Sequence, residues 1–184
     1  MRGFITGIIV TLLVIFGGAY FYTTTGRFDT RSIGNTPSTF ERRTANKSVD
    51  AWVDEHAPRQ ANPFPATMDN IMDGSMTYDK NCALCHGSLK EPISPMRTKF
   101  YPPVPQLMSR TPDDPDGNLF YVIKYGIRYT AMPGWEGALT DNDIWKTVVF
   151  LKNSGQMKDN SQAQSPQNLQ RMDNSKQPGS QPPK

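Results

Sequence analysis

The residues with the clearest chemical potential form a five-residue run, Cys82-Ala83-Leu84-Cys85-His86, which has the pattern C-x-x-C-H. This pattern is typical of the covalent attachment of c-type haem. At the end of a helix, positions i, i+3 and i+4 share one face, so the two thiols can form thioethers to the two vinyl groups at the porphyrin edge. The imidazole of His86 then lies under the ring and ligates the iron. The sequence therefore predicts one covalently attached haem c.

Three other kinds of site use two close cysteines, and each fits this sequence less well. A thioredoxin-like redox pair requires a βαβ context, and no strand pattern precedes Cys82. A tetrahedral zinc site needs four ligands, and the only histidine besides His86 is His56, far along the chain. A disulfide across a four-residue loop would stabilise the fold little. These three remain minor alternatives to haem.

Length and charge limit what else the chain can be. Its 184 residues allow one folded domain with attachments. The balance of 20 Lys and Arg against 17 Asp and Glu is too even for a dedicated nucleic-acid binder. Two cysteines are too few for a disulfide scaffold. A large catalytic domain is therefore not expected.

The first 22 residues are predicted to form a transmembrane anchor. The 19-residue run from Phe4 to Tyr22 carries no charge, and as a helix it would be roughly 28 Å long, close to the roughly 30 Å hydrocarbon core of a bilayer. A cleaved signal peptide would have a shorter apolar region and an A-x-A-like site, for which Gly17-Gly18-Ala19 is a poor match. We therefore expect the anchor to be retained.

The charges that flank this anchor give a conflicting signal for its orientation. Arg2 lies on one side, whereas Arg27, Arg31, Arg42 and Arg43 follow on the other. Counted literally, the positive-inside rule directs the rest of the chain to the cytoplasm. The rule is weaker for a long translocated domain, so the chemistry of the site has to decide.

The remaining sequence divides into a tether, a folded domain and a tail. Residues 23–66 are polar and are predicted to be a tether, within which Ser48 could cap a short helix that rests on the folded domain or on the membrane surface. Residues 159–184 are rich in Gln, Ser, Asn and Pro and are predicted to be disordered, because they have few apolar residues to bury. Residues 67–158 are left as the only folded domain.

Three helices and one long loop are predicted in residues 67–158. The first helix begins after Thr67 and runs into the cysteines, and the second extends from an N-cap at Asp116 to a stop at Gly126. The third begins at a capping box made by Thr140 and Asp143 and ends at Gly155. Lys90 to Pro115 is a loop with seven prolines. No alternating strand pattern occurs, so an all-α domain wrapped around one haem is expected, preceded by the transmembrane helix.

The order of several motifs resembles the class I cytochromes c, specifically the membrane-anchored bacterial type with a single haem. The resemblance covers about half of the chain. The matching segments are Gly74-x-x-x-Tyr78-x-x-x-Cys82-Ala-Leu-Cys85-His86-Gly87, then Pro105-Gln106-Leu107, then Gly126-Ile-Arg-Tyr-Thr-Ala-Met132-Pro133-Gly134-Trp135, and finally Leu139-Thr140-Asp141-Asn142-Asp143-Ile144-Trp145.

The resemblance implies that Met132 is the second axial ligand of the iron, because the family's ligand is a methionine on the loop before the last helix. His56, an exchangeable ligand from Met96 or Met108, and an open iron are weaker alternatives. Met68, Met72 and Met76 form a helical stripe, which we interpret as core packing.

Further contacts to the haem follow from the same resemblance. A proline carbonyl near His86 would fix the imidazole, with Pro105 the best match and Pro102 and Pro103 as competitors. Leu107 would pack on the ring face. Trp135 would either reach a haem propionate through its indole N–H or lie as a packed, partly exposed ring. Gly74 and Tyr78 would lie where the first and last helices of the domain cross, opposite Trp145 or Phe150.

His/Met ligation leaves no open position on the iron, so the expected function is one-electron transfer and not catalysis. We expect a shuttle that carries electrons from a quinol-oxidising complex to a terminal oxidase or reductase. The alternatives are a fixed cytochrome subunit of a larger complex or dehydrogenase and, less favoured, a haem-based sensor. Neither nucleic acid nor a small-molecule substrate is expected. In bacteria, as the resemblance implies, covalent haem is attached outside the cytoplasmic membrane, which places the haem domain on the periplasmic face.

Overall fold

Six helices make up the regular structure of residues 2–163, the part of the chain that this computed structural model describes. They are α1 (Arg2–Thr24), α2 (Thr39–His56), α3 (Met68–Asn81), α4 (Ala83–His86), α5 (Asp116–Tyr125) and α6 (Asp141–Ala163). No strand occurs among these residues, where the only bridge of β type joins Glu136 and Leu139. The all-α prediction is confirmed. The chain forms two compact units, Met1–Gly34 and Asn35–Lys184.

The first unit is built on α1, a helix of 23 residues that is long and apolar enough to cross a membrane. None of its residues is buried within the protein. Its polar side chains are satisfied locally, since the hydroxyls of Thr6 and Thr11 donate to the carbonyls four residues earlier, at 3.0 and 2.9 Å. An apolar helix with internally satisfied polar groups is suited to hydrocarbon surroundings.

The helix α2 lies in the segment predicted to be a polar tether, and it is longer than expected. It begins at Thr39, where the hydroxyl of Ser38 accepts a hydrogen bond from the backbone N–H of Glu41 at 3.2 Å. The predicted N-cap at Ser48 is therefore wrong. Val53 near its carboxyl end is buried, and the indole N–H of Trp52 donates to the hydroxyl of Tyr121 on α5 at 3.1 Å. The second half of α2 thus packs on α5.

The centre of the second unit is the crossing of α3 and α6. Gly74 allows the close approach, because a Cβ atom at this position would lie 2.0 Å from the carbonyl oxygen of Lys146. The rings of Tyr78 and Phe150, both buried, are 5.2 Å apart across the crossing. Trp145 stacks instead on Phe120 of α5 at 4.2 Å, so Phe150 is the residue that faces Gly74 and Tyr78.

The predicted starts of α3 and α6 agree with the structure, whereas the predicted N-cap of α5 at Asp116 is wrong by one residue. The hydroxyl of Thr67 accepts from the N–H of Asn70, and Thr140 and Asp143 exchange the two hydrogen bonds of a capping box, each 3.2 Å long. At α5 the first helical residue is Asp116 itself, and its N-cap is Pro115.

The predicted end of the last helix at Gly155 is wrong, because α6 continues to Ala163. A glycine inside a helix costs only about 1 kcal/mol, which packing can offset. The neighbouring Ser154 is buried, and its hydroxyl donates to the carbonyl of Leu151 at 2.9 Å. Of the tail predicted to be disordered, residues 159–163 are helical and residues 164–184 lie outside the described part of the chain.

The methionine stripe on α3 does not contribute to the core, in contrast to the prediction. Met68, Met72 and Met76 are 66%, 49% and 61% exposed. The opposite face of α3, with Ile71, Gly74 and Tyr78, is the one that packs on α6. Among the described residues, the buried methionine is Met108 of the proline-rich loop, which is fully enclosed.

Candidate functional site

The C-x-x-C-H run forms the junction between two helices. Cys82 ends α3, and Ala83–His86 continue as the single turn α4. The N–H groups of Cys85 and His86 both donate to the carbonyl of Cys82, at 3.1 and 2.9 Å. Both cysteines are half-buried and are not joined in a disulfide. The turn thus presents two free thiols and an imidazole from one short, well-hydrogen-bonded segment.

His86 is held with one ring nitrogen engaged. Its Nδ1 lies 2.8 Å from the carbonyl oxygen of Pro105. A carbonyl oxygen can only accept, so Nδ1 carries the proton and the lone pair lies on Nε2. Burial lowers the pKa of His86 below its ordinary value, against the opposing effect of the Pro105 carbonyl. The imidazole is therefore neutral near pH 7, with Nε2 suited to bind a metal ion.

Pro105, and not Pro102 or Pro103, supplies this carbonyl. The chain is held in register here by the N–H of Leu107, which donates to the carbonyl of His86 at 3.1 Å. Pro102 follows a cis peptide bond after Tyr101, earlier in the loop. The segment Pro105–Leu107 therefore lies directly against the end of α4.

Two polar side chains to which the sequence analysis gave no role secure this contact. The side-chain amide of Gln106 donates to the carbonyls of Cys85 and Val104 at 3.1 and 2.9 Å, and its oxygen accepts from the N–H of Ser94 at 2.5 Å. The hydroxyl of Ser94, which is 4% exposed, donates to the carbonyl of Leu84. Gln106 lies within a motif that matches the family, but its partners Ser94 and Cys85 are 12 and 21 residues away, so no local sequence pattern indicates them.

We expect Gln106→Leu to lower the free energy of unfolding by about 1–3 kcal/mol, because it leaves the N–H of Ser94 and two carbonyls without their partner. Gln60→Leu makes the same chemical change at an exposed position and should alter stability by less than about 0.5 kcal/mol. Denaturant unfolding of the full-length protein in detergent measures both. Equal effects of the two substitutions would show that Gln106 does not hold the turn.

The tyrosine of α3 also supports the site. The hydroxyl of Tyr78, which is completely buried, donates to the carbonyl of Gly87 at 2.7 Å, just after His86. Burial raises the pKa of Tyr78, with smaller contributions from Cys82 and Asp79. The hydroxyl therefore stays protonated, and it ties the crossing of α3 and α6 to the end of the C-x-x-C-H turn.

Met132 lies on the loop between α5 and α6, and the loop itself is closely tied. The N–H of Met132 donates to the hydroxyl oxygen of Thr130 at 3.1 Å, and the carbonyl of Met132 accepts from the N–H of Ile127 at 3.2 Å. Gly126, which begins the loop with a φ of +71°, has no room for a side chain, because a Cβ there would lie 2.6 Å from the backbone of Gly134. The loop thus has a defined shape.

Four of the side chains predicted to bind or surround the haem share one property. They are half-buried and apolar, and they pack against the edge of one core cluster: Cys82, Leu107, Met132 and Trp135. A large flat apolar group that is attached to the chain needs half-exposed apolar side chains, two free thiols and a neutral imidazole, and the described residues supply all three. These residues therefore fit a haem.

The other uses of two close cysteines fit less well. Burial, followed by the charges of Cys85 and Asp79, raises the pKa of the Cys82 thiol to about 12. Redox-active and metal-binding cysteines need the opposite shift, toward the thiolate. Among residues 2–163 no cluster of three or more His, Cys, Asp or Glu side chains is arranged to hold a metal ion. His56 is stacked on Trp52 at 3.8 Å, with Nδ1 2.8 Å from the Trp52 carbonyl.

Comparison with known proteins matches a family model and several solved chains. The family model "Cytochrome C oxidase, cbb3-type, subunit III" matches residues 69–151. A solved chain of the reducing HAO-like protein complex of Kuenenia stuttgartiensis is similar over 50% of this chain and 46% of its own length, with 18% identity and a TM-score of 0.41. This chain therefore spans less than half of that relative. No curated protein sequence matches.

Proposed function

Residues 69–151 form a cytochrome c domain of the class I family, and on this basis we propose that the protein is a membrane-anchored single-haem cytochrome that passes electrons between respiratory-chain proteins. A cytochrome c domain implies covalently bound haem c and indicates an electron carrier. The observation that carries the proposal is the C-x-x-C-H turn with Nδ1 of His86 bonded to the Pro105 carbonyl, which leaves Nε2 for a metal.

Each residue of the site has a distinct task in this proposal. Cys82 and Cys85 would hold the haem covalently, and His86 and Met132 would ligate its iron. The bound haem supplies one reversible electron. The thioether of Met132 favours the ferrous state, and the Pro105 carbonyl fixes the orientation of the His86 ring.

In this proposal the half-buried apolar side chains keep water away from the metal. Leu107 and Trp135 are both half-buried against the core cluster. In this proposal Leu107 packs on the ring face and the indole N–H of Trp135 reaches a propionate. With His86 and Met132 both bound to the iron, neither substrate nor water would have access to the metal. The domain is then an electron carrier and not an enzyme.

The proposed location is the cytoplasmic membrane, with α1 as a single membrane span and the haem domain on the periplasmic side. The length and composition of α1 support the anchor. The orientation is supported by the attachment of haem outside the cytoplasmic membrane, as the class I resemblance implies. The proposed donor is a quinol-oxidising complex, and the proposed acceptor is a terminal oxidase or reductase.

A second candidate is a fixed subunit of an oxidase or another membrane complex. It is favoured by the family model, whose description names an oxidase subunit. Fractionation of mildly solubilised membranes distinguishes the two candidates. For a shuttle we expect most of the cytochrome to separate from the oxidase activity, yet to be reduced by quinol and reoxidised in the intact membranes. Co-purification at a constant ratio through every step would establish the fixed subunit instead.

A further inference from the structure

The first ten residues of α2, Thr39–Ser48, project from the rest of the second unit. Every side chain in this segment is exposed, whereas Val53 in the following turns is buried. Among the hydrogen bonds of the described residues, this segment is joined to a distant part of the unit by the carboxylate of Glu41, which accepts from the hydroxyl of Tyr101 at 2.6 Å. A helical segment that buries so little of its side-chain surface is only marginally stable by itself.

One side of this segment combines an aromatic ring with two cations. Phe40, Arg43 and Lys47 are spaced at i, i+3 and i+7 and so lie on one side of the helix, which we call the Phe40 face. Phe40 is 81% exposed. At roughly 100° per residue, Val53 lies about 140° away around the helix. Buried Val53 thus lies on a different side of the helix from Phe40, and the side chains of Phe40, Arg43 and Lys47 are all exposed.

The cations of this segment are not explained by the stability of the protein. Among residues 2–163, no carboxylate lies within 4.0 Å of the charged groups of Arg42, Arg43 or Lys47. Cations near the amino end of a helix also oppose the helix dipole. The nearby carboxylate of Glu41 is engaged with Tyr101. These positive charges are thus available to an anionic partner.

The segment that precedes α2 indicates which anionic partner lies nearby. Only residues 25–38 separate the end of α1 from the start of α2. A flexible segment of that length spans roughly 20 Å. If α1 is the anchor proposed above, on which this inference rests, the Phe40 face is confined near the bilayer surface. An exposed aromatic ring flanked by cations is the pattern by which interfacial helices bind anionic membranes.

We propose that the Phe40 face of α2 binds the anionic phospholipid headgroups of the membrane in which α1 is anchored. Phe40 enters the headgroup boundary, and Arg43 and Lys47 pair with phosphates, with Arg42 at the side. This use also explains why basic residues accumulate on the side of the anchor where the orientation rule does not expect them. The contact would hold one side of the haem domain toward the bilayer.

Hydrogen exchange of the full-length haem-loaded protein tests this proposal. The protein is reconstituted into vesicles of phosphatidylcholine alone or with about one third phosphatidylglycerol. We expect the amides of residues 41–48 to exchange on the order of tenfold more slowly with the anionic lipid at low salt, and this difference to disappear in 0.5–1 M salt, where charges are screened within roughly 3–5 Å.

Charge variants provide the matched control. Arg43→Gln combined with Lys47→Gln should remove most of the protection, roughly an order of magnitude, because each cation near an anionic surface contributes separately. Arg59→Gln combined with Lys90→Gln makes the same change of charge at exposed positions elsewhere and should leave the protection intact. Loss of protection in both variants would indicate a general charge effect and would overturn the assignment to the Phe40 face.

Vesicle flotation separates failure of this inference from failure of the anchor. Protein that floats with both vesicle types but exchanges equally in both overturns the lipid contact and leaves the electron-transfer proposal intact. Protein that floats with neither type overturns the anchor and the lipid contact together. The haem spectrum, measured on the same samples, should be unchanged in every case, because the Phe40 face does not belong to the haem site.

Discussion

Met132→Ala is expected to open one axial position of the haem and to lower the reduction potential. The thioether that favours ferrous iron is lost, so the potential should fall on the order of 100 mV, within the roughly 0.8 V over which axial ligands set haem potentials. The ferrous variant should also bind carbon monoxide readily at neutral pH, whereas the wild type should not. Redox titration and absorbance spectra measure both effects.

Met96→Ala is the appropriate control for this experiment. Met96 is half-buried on the proline-rich loop, so the same chemical change is made away from the predicted ligand. Its potential and its response to carbon monoxide should match those of the wild type. If Met132→Ala behaves like the wild type, another residue ligates the iron. If the wild type itself binds carbon monoxide readily, the site has an exchangeable position and the sensor function becomes the better account.

Gly74→Ala is expected to have the largest effect on stability. Its Cβ would lie 2.0 Å from the Lys146 carbonyl oxygen and 3.0 Å from Phe150, so α3 and α6 must move apart. We expect the free energy of unfolding to fall by about 3 kcal/mol, at the upper end of the range for overpacked positions. Denaturant unfolding of the full-length protein in detergent, followed by circular dichroism, provides the measurement.

Gly155→Ala is the matched control, because it places the same methyl group on a helical glycine of α6. A Cβ there would meet only the side-chain oxygen of Thr111, at 3.3 Å. We expect stability to be unchanged or to rise by up to about 1 kcal/mol, since alanine is the better helix former. A Gly74→Ala protein as stable as Gly155→Ala would show that the two helices do not cross this closely.

The parts of the fold that are encoded locally were predictable from the sequence. A threonine cap fixes the start of α3, the pair Thr140 and Asp143 fixes the start of α6, and Gly126 ends α5. Each of these signals acts over three or four residues, so the sequence pattern alone contains it. The C-x-x-C-H spacing is of the same kind.

Features that depend on distant partners were not predictable in the same way. The spacing of Met68, Met72 and Met76 places them on one face of α3 but does not say which face is buried. Gly74, with no side chain, decides that, because α6 can approach only there. Likewise, Gly155 lies inside α6 because tertiary packing outweighs the low helix propensity of glycine.

The hydrogen bonds that support the candidate site were predictable only in part. A proline near His86 was expected from the family pattern, and the structure shows Pro105 in that place. The roles of Ser94 and Gln106 arise from hydrogen bonds to backbone carbonyls of the C-x-x-C-H turn, 10 and 21 residues away in sequence. Such bonds leave no periodic signal, so only the folded chain reveals them.

The proposed function depends above all on a haem that is bonded covalently to Cys82 and Cys85. Trypsin should release both in one peptide, Asn81 to Lys90, because Lys80 and Lys90 flank the motif. Mass spectrometry of the denatured, digested protein should find this peptide heavier by one haem and coloured. The same peptide at its unmodified mass, with two thiols that react with iodoacetamide, would contradict the account.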